Sequence, residues 1–332
     1  MNHNHYSFGL TALLMFICQS LSANDFKVDG IYYTYLSQSD KTVSVTYRGI
    51  AYFDNRKDYS GNVVIPPTVT YQGMTYSVTS IGDNAFRGCT ELTSIEIPDN
   101  VSSIGEGAFQ GCSGLTKIEI PSSVESIGNV AFCGCTGLTS TEIPNSVASI
   151  GYRAFDGCTG TLVINCDIED CEDTGVISSF LAYCAQFSEV ILGEEVNKVG
   201  RYAFCSVSSM KSLTIGSNVN SIGSYAFDRC TGLTSIYCNA INPPACSFGV
   251  FDMDTQKNCT LYVPSGSIDA YKAANAWKDF LTIEENSNVT ALESISVMDN
   301  QNAPLYNLQG TQVVAPRPDG LYIRNGKKVM MK

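Results

Sequence analysis

The chain has 332 residues, 44% hydrophobic and 16% charged, a balance that excludes a disordered or collagen-like polypeptide. Its formal net charge is -12, from 20 basic and 32 acidic residues, and this excludes a nucleic-acid partner, because phosphate binding depends on Lys and Arg. The only histidines are His3 and His5, so a chain that has lost its first residues has no Ser-His-Asp or Cys-His system and no His-ligated metal.

The chain opens with an apolar run, Phe8 to Ile17, followed by polar Gln19 and Ser20 and by Leu21-Ser22-Ala23. This is the pattern of a secretory signal with small residues at the cut, and the run is too short to span a bilayer. Residues 1–23 are therefore expected to be a signal peptide, and the mature chain an exported protein without a transmembrane span, secreted or associated with the outer membrane or cell surface. A lipoprotein reading through Cys18 is disfavoured, because Phe16 and Ile17 are not the small residues such a site needs.

Residues 24–78 carry short Tyr- and Val-rich strands, Gly30 to Tyr33 and Val43 to Tyr47, expected to form an N-terminal β cap. Val63-Val64-Ile65, stopped by Pro66 and displaced by an insertion at Gln72 to Tyr76, is expected to add one more strand to the repeat array on its C-terminal side.

Self-similarity then dominates. Segments beginning at Leu92, Leu115 and Leu138 repeat every 23 residues, with Ile104, Ile127 and Ile150, then Phe109, Phe132 and Phe155, then Cys112, Cys135 and Cys158 in phase. Ile81, Phe86 and Cys89 precede them in the same phase. A degenerate unit places Val176, Leu181 and Cys184 at these sites, Val199, Phe204 and Val207 come next, and Ile222, Phe227 and Cys230 restore the pattern. This period lies in the leucine-rich-repeat range.

Each unit opens with an alternating strand such as Ser94-Ile95-Glu96-Ile97, whose odd positions face inward. The inward pairs are Ile95/Ile97, Ile118/Ile120, Thr141/Ile143, Ile164/Cys166, Val190/Leu192, Leu213/Ile215, Ile236/Cys238 and Leu261/Val263. A Pro after the strand ends pairing, and Ile-Gly-x-x-Ala-Phe-x-x-Cys returns the chain. One coil cannot bury its Ile, Phe and Cys, but stacked coils share a continuous core. The expected fold is mainly β: a right-handed solenoid over residues 79–264, with a short strand and a turn or short helix per repeat. Residues 265–285, with Ser267 ahead of Ile268 to Trp277 and Asp269 in the first turn, predict a C-terminal helical cap. Trp277 is expected to pack there. Residues 286–332 are expected to form a β-rich tail that serves in sorting or anchoring.

The repeat LTSIxIPxxVxSIGxxAFxGCxG resembles the BspA-like leucine-rich repeats of bacterial cell-surface proteins, over roughly Asn62 to Glu285. Phe26-x-Val28-x-Gly30-Ile31-x-Tyr33 resembles the N-terminal flank of those proteins. The segments Leu305 to Gly310 and Gly320 to Lys328 resemble the C-terminal sorting tails of secreted Bacteroidetes proteins. The resemblance implies an exported, non-enzymatic protein that adheres to host or microbial surface proteins, with no catalytic residues or cofactor to carry over.

The cysteines admit three readings. The column Cys89, Cys112, Cys135, Cys158, Cys184 and Cys230 is expected to be buried free thiols, since Val207 takes the same site in one coil and unpaired Cys is a compact hydrophobe. Cys166 and Cys238, at inward sites, fall in the same class. Cys246 and Cys259 bracket an insertion and are the disulfide candidates, although connectivity does not follow from sequence. Zinc is disfavoured because no Cys-x-x-Cys pair occurs. Two glycine motifs are turns: Gly320 to Lys328 lacks phosphate-loop spacing, and Gly105-Glu106-Gly107 precedes no βαβ-length helix.

The outward strand positions supply a candidate binding strip: Glu96, Glu119, Glu142, Asn165, Ile191, Thr214, Tyr237 and Tyr262. Stacked carboxylates repel, so this is either simple repeat duplication in screening solvent or a recognition surface for a host or microbial surface or matrix protein. A glycan-capture module and a spacer without ligand are the alternatives. A glycosidase would need paired carboxylates in a cleft, whereas this ladder is expected to be open and wet.

Overall fold

Each repeat becomes one coil because its apolar positions fall at three corners of the chain path. In the Leu92 repeat, Leu92 and Ile95 are buried on the opening strand, Ile104 after the proline turn, and Phe109 and Cys112 on the return. The structure, a computed structural model, describes residues 24–49, 58–170 and 186–286 and, in the tail, the backbone strands Leu305–Tyr306, Gln312–Val313, Leu321–Arg324 and Lys327–Met330. The degenerate repeat with Val176, Leu181 and Cys184 and residues 1–23, expected to be a signal peptide, lie outside the described residues, as does most of the tail. Two compact units result, Met1–Glu284 and Glu285–Lys332; the second holds an antiparallel four-stranded sheet built from the tail strands.

Stacking one coil on the next creates ladders. The first ladder takes the opening strands. Gly61–Val64, Leu92–Glu96 and Lys117–Ile118 make a three-stranded sheet. Ser140–Ile143, Gly160–Ile164, Phe187–Leu192, Ser212–Ile215, Ser235–Cys238, Thr260–Val263 and Thr282–Glu285 make a seven-stranded one. The displaced strand expected at Val63 is thus present, paired in parallel with Leu92–Glu96.

The second ladder takes two-residue strands: Ser103–Ile104, Ser126–Ile127 and Ser149–Ile150, then Lys198–Val199, Ser221–Ile222 and Ala245–Cys246. Its first part continues from Met74–Ile81, which pairs in parallel with Thr42–Thr46. Ile31–Ser37 and Phe26–Val28 extend that sheet with antiparallel pairings.

On the third side there is no strand among the described residues, yet coils still bond: Phe86, Phe109 and Phe132 each donate their N–H to the Ala carbonyl before the next coil's Phe at 2.7 Å. The rings follow the backbone. Phe86, Phe109, Phe132 and Phe155 stack at 5.1, 5.2 and 5.1 Å with interplanar angles of 4°, 4° and 10°, and Phe204, Phe227 and Phe251 do so at 5.2 and 5.5 Å. At Gly128 the approach leaves no room for a side chain: a Cβ there would stand 2.5 Å from the Glu106 nitrogen.

Both ends of the phenylalanine stack meet tilted rings. Tyr59 lies 4.5 Å from Phe86 at 46°, its hydroxyl donating to the Thr46 carbonyl at 2.7 Å and accepting from Tyr32 N at 3.1 Å. At the far end Trp277 and Phe280 contact Phe251 at 5.4 and 5.2 Å. Trp277 Nε1 donates to the Pro244 carbonyl and Tyr271 Oη to the Ala240 carbonyl, and both side chains are fully buried.

Four sequence expectations change. The helix expected from Ile268 to Trp277 covers only Ile268–Ala273, and Ser267 makes no side-chain cap bond. Thr282–Glu285, placed in the helical cap from sequence, is an edge strand. A second helix, Met253–Asn258, forms inside the insertion before the last repeat, capped by Asp252 accepting from Thr255 N. The ladder expected as one stack is two sheets. Among the described residues no helix is long and apolar enough to cross a membrane.

The ring stack is expected to dominate stability. Phe132→Ala opens a cavity between two rings that cannot close on it, so its unfolding free energy should fall by about 3 to 5 kcal/mol in denaturant titration; a loss below about 1 kcal/mol would show that the coils can collapse on the gap.

Candidate functional site

Strand alternation places the candidate strip on the outer face of the first ladder. Val64 lies opposite Glu96, and Glu119 follows Ile118, the partner of Ile95. In the second sheet Glu142, Val163, Ile191, Thr214, Tyr237 and Tyr262 are aligned strand by strand. Glu96, Glu119 and Glu142 are exposed; Ile191, Tyr237 and Tyr262 are half-buried. The two tyrosine rings stack at 4.8 Å and 11°.

One member is displaced. Val163, not Asn165, pairs with Glu142, and the inward residues of that strand are Leu162 and Ile164 rather than Ile164 and Cys166. The cause is a connection two residues shorter: Leu162 stands four residues after Cys158, whereas its partner Thr141 stands six after Cys135. Asn165 still reaches the strip: its Nδ2 donates to Glu142 Oε1 at 2.8 Å.

The acidic half of the strip coincides with the break between the two sheets. Lys117–Ile118 and Ser140–Ile143 are not paired, so the first ladder stops at one and resumes at the other. A crevice of about 500 Å³ opens there, lined by Lys117, Glu119, Ser140 and Glu142 with Pro121 and Pro144. A second, of about 360 Å³, adjoins it between Asn62, Glu96, Asp99, Lys117 and Glu119. The sequence reading missed Lys117, although period 2 puts it on the face of Glu119; it also missed Asp99, which lies beyond the strand end. On the inner side of the break, Thr141 takes the position that Ile95 and Ile118 hold in the coils before it. It is buried, and its Oγ1 has no hydrogen-bond partner.

Chemically, three exposed carboxylates, Asp99 and a single Lys make a surface that accepts hydrogen bonds and attracts cationic side chains. Among the described residues no group of three or more His, Cys, Asp or Glu is arranged to hold a metal ion.

The cysteine column is interior. Cys89, Cys112, Cys135, Cys158 and Cys230 are buried thiols outside any disulfide, Val207 is equally buried at their site, and Cys184 lies outside the described residues. The thiols do more than fill space: Cys112, Cys135, Cys158 and Cys230 donate to the carbonyls of Phe86, Phe109, Phe132 and Phe204 in the preceding coil at 3.0 to 3.3 Å. The fixed Phe-x-x-Cys spacing was the sequence signal for this contact. Cys246 and Cys259 carry separate free thiols; Cys246 belongs to the second ladder and Cys259 precedes a strand of the first, so the insertion between them does not bring them into a bridge. Burial pushes the thiols of Cys112, Cys135 and Cys230 far above the usual range, those of Cys166 and Cys238 to about 11, and those of Cys246 and Cys259 to about 12.

The same repeat is found in a known family. The family model "BspA type Leucine rich repeat region (6 copies)" matches residues 67–173 and 174–301. Similar solved structures include a leucine rich repeat protein of T. pallidum, 19% identical over 75% of this chain and 95% of that one, with a TM-score of 0.42. A leucine rich cell surface protein of Faecalibacterium prausnitzii is 21% identical over 78% and 72%, with a TM-score of 0.40. A leucine-rich repeat protein from Bacteroides ovatus is 24% identical over 79% of each chain, with a TM-score of 0.33. No curated protein matches the chain.

Two outcomes test the interior of this region. Thr141→Val removes the orphaned hydroxyl at nearly constant shape and should raise the unfolding free energy by about 1 kcal/mol; an unchanged or lower melting temperature would mean that the hydroxyl is satisfied. The thiols are neutral in the folded state and ionise more easily when unfolded. The stability they confer is therefore complete below the unfolded thiol value near 9 and is lost as pH rises toward the raised folded values, by up to about 1.4 kcal/mol per pH unit for each thiol. Denaturant midpoints should fall steeply from about pH 9 upward; a flat profile to pH 11 would contradict the burial of the column.

Proposed function

The chain belongs to the BspA type leucine rich repeat family, and from that membership we propose that it is an exported cell-surface binding protein that recognises a host or microbial surface or matrix protein through the outer face of its first ladder. Residues 1–23 then act as the secretory signal. Residues 24–78 and 265–285 close the two ends of the solenoid over residues 79–264, and residues 286–332 serve in sorting or anchoring.

The observation that carries the reading is the parted ladder. Parallel strands whose hydrogen bonds are continuous present a flat surface; here the continuity ends where Glu96, Asp99, Glu119 and Glu142 line two adjoining crevices. A recess lined by carboxylates on a solenoid face admits Lys or Arg side chains of a protein partner, and charge complementarity there governs partner choice and association rate. The reading is binding rather than catalysis because Glu96, Glu119 and Glu142 are exposed to solvent, whereas a carboxylate acid needs a sheltered site that raises its pKa.

The test is binding of the purified chain to arrayed matrix and surface proteins, beside Glu119→Lys/Glu142→Lys of equal melting temperature. Saturable binding to a protein, weakened at least about tenfold in the variant and sensitive to salt, is the expected result. Equal binding by both chains would place the site elsewhere, and no binding by either would leave the spacer reading.

A further inference from the structure

The return side of the C-terminal coils bears a row of rings that the strand-face reading does not use. Tyr202 and Tyr225, one coil apart, stack at 5.2 Å and 7°; Phe248 closes the row 5.7 Å from Tyr225 at 81°; and the Arg201 guanidinium lies over the Tyr202 ring at 5.3 Å. Phe248 is 77% exposed, and both tyrosines are half-exposed. We propose that this row, Arg201, Tyr202, Tyr225 and Phe248, is a second and separate binding site, and that its ligand is an uncharged saccharide.

The first support is that the backbone does not ask for these side chains. Asn84, Gly107, Val130, Tyr202 and Tyr225 occupy one slot of the coil, each donating its N–H to the corresponding carbonyl of the next coil. All are left-handed, with φ of +56°, +59°, +48°, +59° and +60°. Glycine suits that region best, and a side chain there is held against a cost of about 1 to 2 kcal/mol. Two consecutive tyrosines at this slot therefore carry strain that packing within the row only partly answers, since the rings remain half in water. Such strain collects where a side chain has work outside the fold.

The second support is rigidity. Gly249 follows Tyr225 in the slot, at φ +68°, and a Cβ there would stand 2.7 Å from Tyr225 Cε1. The ring edge thus lies directly over glycine, with Phe248 against it on one side and Tyr202 stacked on the other. A row held this way loses little conformational entropy on binding.

The third support is charge. Arg201, Arg229 and Lys198 are set among Glu169, Asp170, Asp228 and Asp252: Lys198 pairs with Glu169 and Asp170, Arg229 with Asp228, and burial, against the opposing pull of Arg229, raises the Asp228 carboxyl above its usual range. The charges nearly cancel, so neither a polyanion nor a basic segment is favoured. What the row offers instead is an exposed Phe248 ring for the C–H face of a pyranose, ring edges and phenol hydroxyls along the next two coils, and a planar guanidinium donor at the end. Amphipathic rings of this kind suit a ligand that is apolar on its faces and hydroxyl-rich on its edges.

The test is calorimetric titration of the full chain with short neutral α-glucan, β-glucan, β-mannan and β-xylan oligosaccharides, with heparin as the polyanion. Two variants accompany it, Tyr202→Gly/Tyr225→Gly and Phe248→Ala. The glycine pair should fold, because Gly107 already holds the slot and glycine relieves the left-handed strain; thermal unfolding checks this. At least one neutral series should bind, both variants should weaken it at least about tenfold, and Glu119→Lys/Glu142→Lys should leave it unchanged. The proposal is overturned if no neutral series binds, if heparin alone binds, or if folded variants bind as the native chain does. Failure of the native chain to capture any protein, with saccharide binding intact, would strike the strand-face reading alone.

Discussion

The spacing between coils governs everything else in this molecule. Parallel backbone hydrogen bonds and the approach of turn backbones hold successive coils about one strand spacing apart, and the phenylalanine rings at 5.1 to 5.2 Å show the same interval in side chains. A residue type at one position of the repeat is therefore set against its own kind in the coils on either side. Inside, this favours flat rings that stack and thiols that donate to the carbonyl of the preceding coil. Outside, the same rule stacks like charges, and Glu119 and Glu142 flank the place where the strands fail to pair. The interval that builds the core thus also sets the weak point of the ladder.

The columns were legible in sequence because the coils repeat at 23 residues on either side of one degenerate unit and up to the insertion before the last strand, and because each strand alternates with period 2. That is why Glu96, Glu119, Glu142, Ile191, Tyr237 and Tyr262 share a face in the structure. What escaped was whatever preserves parity while changing register. Asn165 and Val163 differ by two, both satisfy alternation, and only the shortened connection after Cys158 decides between them. The break in the ladder escaped for a related reason: pairing belongs to two coils together, and the one local trace of it, Thr141 at a position otherwise filled by Ile, looks like an ordinary β-branched substitution. The helix Met253–Asn258 lay inside an insertion, where the repeat has nothing to say.

The slots where the repeat imposes a backbone and leaves the side chain open carry the most information. The left-handed position after the turn accepts Asn, Gly, Val, Arg or Tyr in different coils, so geometry alone does not select among them. At the neighbouring close contacts the choice is forced: Gly128 has backbone 2.5 Å from where its Cβ would be. Comparing coils within one chain separates positions that the fold dictates from positions that it merely tolerates, and the tolerated ones are where recognition can be written without unfolding the stack.

A solenoid makes that division practical because each coil touches only its neighbours. The first ladder is acidic near Glu96 to Glu142 and apolar toward Tyr237 and Tyr262, while the return side gathers Tyr202, Tyr225 and Phe248 several coils away from the acids. Neither surface constrains the other through the core, since the phenylalanine stack between them is the same in both regions: Phe109 and Phe132 beneath the acidic coils stack as Phe204 and Phe227 do beneath the aromatic ones. Two unrelated chemistries can therefore occupy one short array, each set by a few outward residues, with the inward residues unchanged.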